Sequence, residues 1–447
     1  MRSCLVVAAT VAVFLSLLSP ANAFWITGYY PQYESSVMPV SAIDFATITH
    51  VIHFCLEAQA NGTINGANNG LDPAACRAFV QTVHNAGRKA LLCVGGAGSE
   101  PAFQGATTAN HVPAFVSALA AFMSSNNYDG LDIDWEPLAA ADILQYTNFM
   151  TTLRAAIPGA LLTAAAPAYP QYGDPPDAIF AVFASLQGTL DQINIMTYDL
   201  SGPYPGWITW FNSPIYDGGY TFPSTGGPLP SIDGAVDNYV NNGVKPLKLA
   251  LGLPFYGYVW TGVLQPRQPW SESNTPTVSA AAYRAIITSY YQSNSYQWDI
   301  AAQAAYLSLS NASSADDMFV SYEDAASCQT KVSYSRNRGL GGIMIWELSQ
   351  DFFPERGEGQ QSPLLQSLRQ SLATPQILSA DMIASNFTFS FSTLPLAHYR
   401  VLYATNLFDM LWQTLTNNIP GTGAPAAVTD AVTAHSAARF YRVQTPP

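Results

Sequence analysis

Eight short apolar runs recur between residues 24 and 372, and together they limit what this chain can fold into. They are WITGYY (25–30), ITHVIHF (48–54), KALLCVGG (89–96), YDGLDIDWE (128–136), ALLTAAAP (160–167), QINIMTYD (192–199), LKLALGLPFYG (247–257) and GLGGIMIWEL (339–348). Each reads as a strand by its length and its apolar content. VPAFVSALAAFMSS lies between the third and fourth runs, and ADILQYTNFMTTLRAAI follows the fourth. Both show the 3.6-residue apolar period of a helix buried along one face. Gly87, after VQTVHNA, is placed to end the helix before the third strand. Strands alternating with helices build a parallel α/β sheet. Eight such units predict a (β/α)8 TIM barrel, whose active site lies at the C-terminal ends of its strands.

Two connections are too long for plain loops. Residues 200–232 are rich in Gly, Pro and aromatics. Residues 258–318 carry their own helical pattern, SAAAYRAIITSYYQ, and predict a small α+β insertion before the last strand. The barrel is expected to span 24–372. Beyond a short linker at 373–376, NFTFSFS (386–392), HYRVLYATN (398–406) and RFYRV (439–443) alternate like strands, so 377–447 reads as a small C-terminal β module. A spacer or anchoring role suits it better than carbohydrate binding.

The first 23 residues, MRSCLVVAATVAVFLSLLSPANA, combine one Arg, an apolar run and a small-x-small ending at Ala21-Asn22-Ala23. That is the pattern of a signal peptide cleaved before Phe24, and it predicts a secreted, extracellular or periplasmic protein. The apolar stretch is too short to span a bilayer comfortably, and no later segment is apolar enough, so no membrane is expected. Lys+Arg number 17 against 30 Asp+Glu, for a net charge of −13. A nucleic-acid partner needs a basic surface, and none is available. Past the signal, Cys55, Cys76, Cys93 and Cys328 remain. Cys55 and Cys93 sit in apolar runs as inert buried thiols, and the sequence leaves any pairing open. No CxxC pair or His–Cys spacing suggests zinc, so neither a metal nor another cofactor is expected. Nothing requires an oligomer; a monomer is expected.

The fourth run carries the chemistry. In DGLDIDWE (129–136), Asp132, Asp134 and Glu136 alternate with Leu131, Ile133 and Trp135. A strand points every second side chain to one face, so the three carboxylates stand in a row. Two charges about 4 Å apart repel by roughly 4 kcal/mol at an effective dielectric of 20. Such a row favours keeping part of the set protonated, and a protonated Glu beside an ionised Asp suits general-acid cleavage of a glycosidic bond. A calcium loop would need Gly at its sixth position and Glu at its twelfth, which Ile133 and Trp135 do not fit. A divalent-metal cluster lacks His support nearby, and a surface strand would not place apolar residues so regularly between the acids.

DGLDIDWE resembles the DGxDxDxE signature of the family 18 glycoside hydrolases, the chitinases and their relatives. The likeness continues through GYYP (28–31), CVGG (93–96), MTYD (196–199), FNSPIYD (211–217), GLPFYG (252–257), and FVSYED with GLGGIMIWEL (319–348), in order on the expected strands. The resemblance implies a retaining, substrate-assisted mechanism in which the substrate's 2-acetamido oxygen attacks C1 and forms an oxazolinium ion. It implies that Glu136 protonates the leaving oxygen and then activates water. Asp134 would orient the acetamide, Asp132 would share its proton, and Tyr198 would donate to the acetamide oxygen. It further implies that Asp199 hydrogen-bonds sugar or acetamide, Met196 lines the floor, and Trp346 forms the platform under the sugar. Tyr29, Tyr256, Gly96 and Trp135 are further candidates for the binding wall. The pocket-lining Phe of the family corresponds to Phe54 or Cys55, with strand alternation allowing only one inward. Trp207, Trp210, Trp260 and Trp270, in the long loops, are candidates for outer subsites.

Three departures stand out. Cys93 occupies a position where the family has a serine hydrogen-bonded near the first Asp, and a thiol is a poorer donor. Pro137 follows the catalytic Glu where many relatives have Tyr, and the Phe54/Cys55 pair breaks the simple pattern. The expected substrate is chitin or another N-acetylglucosamine-containing polysaccharide. The alternatives are an endo-β-N-acetylglucosaminidase acting on glycans or cell-wall polymer and, from another class, a chitin-binding lectin that does not cut.

Overall fold

The computed structural model describes residues 24–170, 173–175, 177–271, 275–373, 375, 377–383, 386–393, 398–405, 411–422, 425–431 and 439–444. The expected signal peptide, 1–23, lies outside the described residues. The chain forms one compact unit over Phe24–Thr374 and another that includes Pro375–Pro447.

Eight parallel strands close on themselves in the first unit. They are β1 (Trp25–Pro31), β2 (His50–Ala58), β3 (Lys89–Gly96), β4 (Gly130–Trp135), β5 (Leu161–Pro167), β6 (Gln192–Met196), β7 (Leu249–Pro254) and β8 (Gly342–Trp346). Each strand pairs with the next in sequence, and β8 returns to β1, with Trp25 opposite Gly342 and Gly28 opposite Ile345. This is a (β/α)8 TIM barrel. The flanking helices are α1 (Pro73–Asn85), α2 (Val112–Ser125), α3 (Ile143–Ala156), α4 (Ala178–Leu186), α5 (Ile232–Asn241), α6 (Ala325–Asn337) and α7 (Pro363–Ala373). Between β1 and β2 there are only two short 3-10 turns, so the first unit departs from the regular pattern. That connection carries Pro39, whose ring removes an amide donor that a helix would use.

Local chemistry sets the helix ends. The Asp72 side chain accepts from the Ala74 and Ala75 amides, with Pro73 in the first helical position of α1. Gly87, at φ 68°, takes the chain out of that helix in the left-handed region. At α6, Asp324 and Ser327 form a reciprocal capping box.

The insertion is larger and more strand-rich than its helical pattern predicts. Five antiparallel strands, Tyr256–Thr261, Thr277–Ala282, Tyr296–Asp299, Ala304–Leu309 and Met318–Tyr322, form one sheet, with an α-helix at Tyr283–Ser289. The sheet thus runs from 256 to 322, beyond the expected 258–318, and SAAA (279–282), expected as helix, lies on a strand. Only Phe255 separates β7 from the first insertion strand, so no stretch of turn residues marks the boundary.

Among the described residues, the second unit holds two three-stranded antiparallel sheets. Asn386–Phe391, His398–Ala404 and Phe440–Gln444 match the expected runs. Ile377–Ile383, Gln413–Pro420 and Ala426–Ala431 add strands that the sequence pattern did not disclose. Phe389, Phe391, Tyr399 and Val401 form its core.

Candidate active site

Inside the barrel, Tyr29, Ile52, Phe54, Cys55, Leu91, Cys93, Ala250 and Met344 pack into one cluster below the C-terminal strand ends. Strand alternation on β4 sends Asp132, Asp134 and Glu136 into this space. It sends Trp135 the other way, where the indole stacks on Phe103 at 4.8 Å and meets Tyr146 edge-on at 5.9 Å. Trp135 is 3% exposed and lines no described cavity, so its expected place in the binding wall is corrected: it packs the strand against the helices.

The three carboxylates differ in their surroundings. Asp132, fully buried, accepts from Tyr29 Oη at 2.7 Å, Thr163 Oγ1 at 2.5 Å and Asn194 Nδ2 at 3.3 Å. Burial pushes its pKa up, while these donors and the Cys93 thiol pull it back toward the usual range. Burial pushes the Cys93 thiol well up, so it stays protonated beside Asp132 as a weak donor next to Tyr29, Thr163 and Asn194. Asp134 is also buried, yet its Oδ1 has no hydrogen-bond partner among the described residues. Burial, then the charges of Glu136 and Asp132, hold its pKa well above the carboxylate range. Glu136 is half-buried and raised by burial, then by Asp199. Ser99 pins this strand end: its hydroxyl donates to the Asp134 carbonyl at 3.0 Å and accepts the Glu136 amide at 3.0 Å.

Two glycines let the backbone come this close. A Cβ on Gly95, at φ +116°, would stand 2.0 Å from the Asp134 carbonyl oxygen. One on Gly96, at φ +112°, would stand 2.8 Å from the Phe54 ring. Phe54 and Cys55 both face the cavity, against the expectation that only one could. The β2–β3 register shifts between His53 and Leu56, and that irregularity breaks the alternation.

Over the row lies a cavity of about 670 Å³ bordered by Tyr29, Phe54, Gly96, Asp134, Glu136, Met196, Tyr198, Asp199 and Trp346. A second cavity of about 1210 Å³ shares Glu136, Met196, Tyr198 and Asp199 with it, so the two are halves of one trough meeting at the glutamate. The Tyr198 hydroxyl has a thioether contact, Met344 Sδ at 3.8 Å, which leaves a strong donor facing the trough. Tyr29 lines the first half, but its hydroxyl is committed to Asp132. Trp346 meets Tyr29 and Phe54 edge-on at 5.4 and 4.8 Å, which fixes its indole at the first cavity. Asp199 Oδ1 accepts from Tyr256 and Tyr258 at 2.5 and 2.6 Å, and its amide donates to Asn212 Oδ1 at 2.9 Å. Tyr256 borders a smaller hollow that also includes Trp346, to one side of both halves.

Trp210 and Trp260 are fully buried in a cluster with Phe211 and Phe319, so they are core and not outer subsites. Trp207 does border the second half of the trough. Thr163, Asn194, Asn212 and Tyr33 were not singled out from sequence. The first three are polar residues within apolar runs or loops, with no spacing signal; Tyr33, half exposed, follows GYYP and borders the first cavity. Among the described residues, no group of three or more His, Cys, Asp or Glu could hold a metal ion, and the cysteines are free.

A parallel barrel whose fourth strand ends in carboxylates with raised pKa values, facing an aromatic trough, has the form of a glycoside hydrolase. The family model "Glycosyl hydrolases family 18" matches residues 25–351, and the chain belongs to that family. Chitinase A1 of Niallia circulans is 30% identical over 300 residues, which is 60% of this chain but 41% of that protein. A class V chitinase of Arabidopsis thaliana is 28% identical over 340 residues, covering 71% of this chain and 84% of the relative. The solved Group IV chitinase of Ostrinia furnacalis, in complex with allosamidin, superimposes with a TM-score of 0.65 at 25% identity, over 78% of this chain and 99% of that one.

Proposed function

We propose that this protein is a secreted chitinase that cleaves β-1,4 bonds after N-acetylglucosamine with retention, through the substrate's own acetamide. The observation that carries the reading is the contrast within the row. Asp132 is saturated with donors, whereas Asp134 holds a buried carboxyl oxygen with no partner beside a half-exposed Glu136. An acetamide N–H placed over Trp346 supplies the missing partner of Asp134. Tyr198 donates to the acetamide oxygen and aims it at C1. As the C1–O bond breaks, Glu136 gives its proton to the leaving oxygen and the acetamide oxygen bonds to C1. Asp134, its proton passed toward Asp132, balances the positive oxazolinium. Glu136, now a carboxylate, takes a proton from water, which opens the ring with net retention. The raised pKa of Glu136 suits the first role, since a general acid must hold its proton more firmly than an ordinary carboxyl. Relatives named as chitinases support the substrate.

The test is to incubate purified mature protein with chitin hexamer and, separately, with a high-mannose glycopeptide, and to resolve the products by mass and anomer. Shorter chitin fragments, β-anomeric at first appearance, are expected. Release of the glycan alone would move the protein to an endo-β-N-acetylglucosaminidase. Binding of the hexamer without cleavage would make it a lectin.

A further inference from the structure

The two halves of the trough differ in size and in the residues that line them. The first holds Asp134 and Trp346, so on the reading above it takes the sugar that reacts. Glu136 stands at the boundary, and the larger half beyond it therefore receives the leaving-group side of the chain. That half has a wall of rings: Trp207 lies 4.6 Å from Phe222 and 5.1 Å from Tyr204, centroid to centroid. Rings of this kind offer flat apolar faces to sugar C–H surfaces and fix where a pyranose lies.

Charge then distinguishes among sugars. No Lys, Arg or His borders either half among the described residues, while Asp217, Asp233 and Asp237 border the larger one. Arg338 pairs with Asp233 and Asp237. Asp217 enters no ion pair among the described residues; its Oδ1 takes the Gly219 amide at 2.8 Å. Glu136 and Asp199, at the boundary of the two halves, also lack a cation among the described residues, and Asp217 is the carboxylate without an ion pair that borders the larger half alone. Beside the ring wall, in a chain of net charge −13, it attracts a cation and repels an anion. Among 1,4-linked glucosamine polymers the cationic unit is the deacetylated one, whose free amine is protonated in acid.

We propose that the leaving-group half of the trough prefers glucosamine units carrying an ammonium group over N-acetylated ones, with Asp217 as the specificity-determining residue. This rests on the chitinase reading. The natural substrate is then partly deacetylated chitin, and polymers with carboxylated sugars are disfavoured.

The full mature chain, incubated at mildly acid pH and low salt with chitosan of known partial acetylation, tests this through the sequences of its product ends. New reducing ends should be N-acetylated, because the reacting sugar needs its acetamide. New non-reducing ends should be enriched in glucosamine about threefold over the polymer's composition, the modest size expected of a partly solvated ion pair. Salt near 1 M should erode the enrichment by screening it. Asp217→Asn should bring the ends to the bulk composition and lower the chitosan-to-chitin turnover ratio, and Asp217→Glu should restore both. Acetylated reducing ends with unselected non-reducing ends, or enrichment unchanged in Asp217→Asn, would overturn this proposal alone. Failure to cut both chitosan and chitin hexamer would overturn the chitinase reading and this proposal with it.

Discussion

Two sets of buried charged side chains lie in the same unit and are treated in opposite ways. Behind the loops, Glu323 meets Lys331, and both are almost fully buried. Lys331 also donates to Ser213 Oγ at 2.8 Å, Ser327 Oγ donates to Glu323 at 2.7 Å, and Ser213 hands its own proton to the Thr197 carbonyl at 2.6 Å. Every member has a partner of the right kind. At the mouth of the barrel three carboxylates are stacked with no cation among the residues that border them, and the middle one has an oxygen with no donor. The first set anchors the segment that follows Tyr198. The second keeps an unsatisfied, proton-bearing group where a substrate can complete it. Burial of charge serves structure when it is compensated inside the chain, and chemistry when the compensation is left to a ligand.

Substitutions can break that distinction. Glu136→Gln keeps the shape and removes only the transferable proton; kcat on chitin hexamer should fall by about 10²–10⁴-fold, with binding nearly intact by calorimetry. Lys331→Met should do the reverse. It leaves Glu323 buried without its cation and should cost about 3–5 kcal/mol of stability, seen as a lower midpoint in urea. The residual folded fraction should bind substrate normally. Tyr198→Phe removes one hydrogen bond to the acetamide and should lower kcat by roughly tenfold, the scale of one hydrogen bond, with KM little changed.

The smallest effect concerns stability against pH. The pKa of Asp134 is raised in the folded protein above its unfolded value. The folded state therefore binds more protons, and stability is lost as pH rises above the ordinary Asp value. Asp134→Asn removes that loss. The variant should melt higher than the parent near neutral pH, with the difference closing as pH falls through the ordinary Asp range, while turnover drops. A variant that melts lower at every pH would mean the row is compensated like the Lys331 network.

The eight strands were legible as short runs of mainly apolar residues recurring between helical patterns, and the acidic row because period-2 alternation puts like charges on one face. The insertion boundaries were not, since one residue separates β7 from the next strand and no composition change marks the join. The role of Trp135 was hidden for another reason. Its proximity in sequence to Asp134 and Glu136 suggested the pocket, whereas the same alternation that gathers the acids sends the indole to the opposite face. Alternation allows only one of Phe54 and Cys55 inward where the ladder is regular, and the shift between His53 and Leu56 breaks it.

By itself the sequence determined the barrel, the order of its strands and the residues that carry the acids, because those follow from local periodicity. Only the tertiary structure decided which carboxylate has donors and which has none. Thr163 faces Asp132 from the neighbouring strand β5, but Tyr29 and Asn194 come from strands not paired with β4 and reach Asp132 only when the sheet curls closed. The protonation of the row depends on that closure, since burial and the placing of donors are properties of the packed barrel and of no single strand.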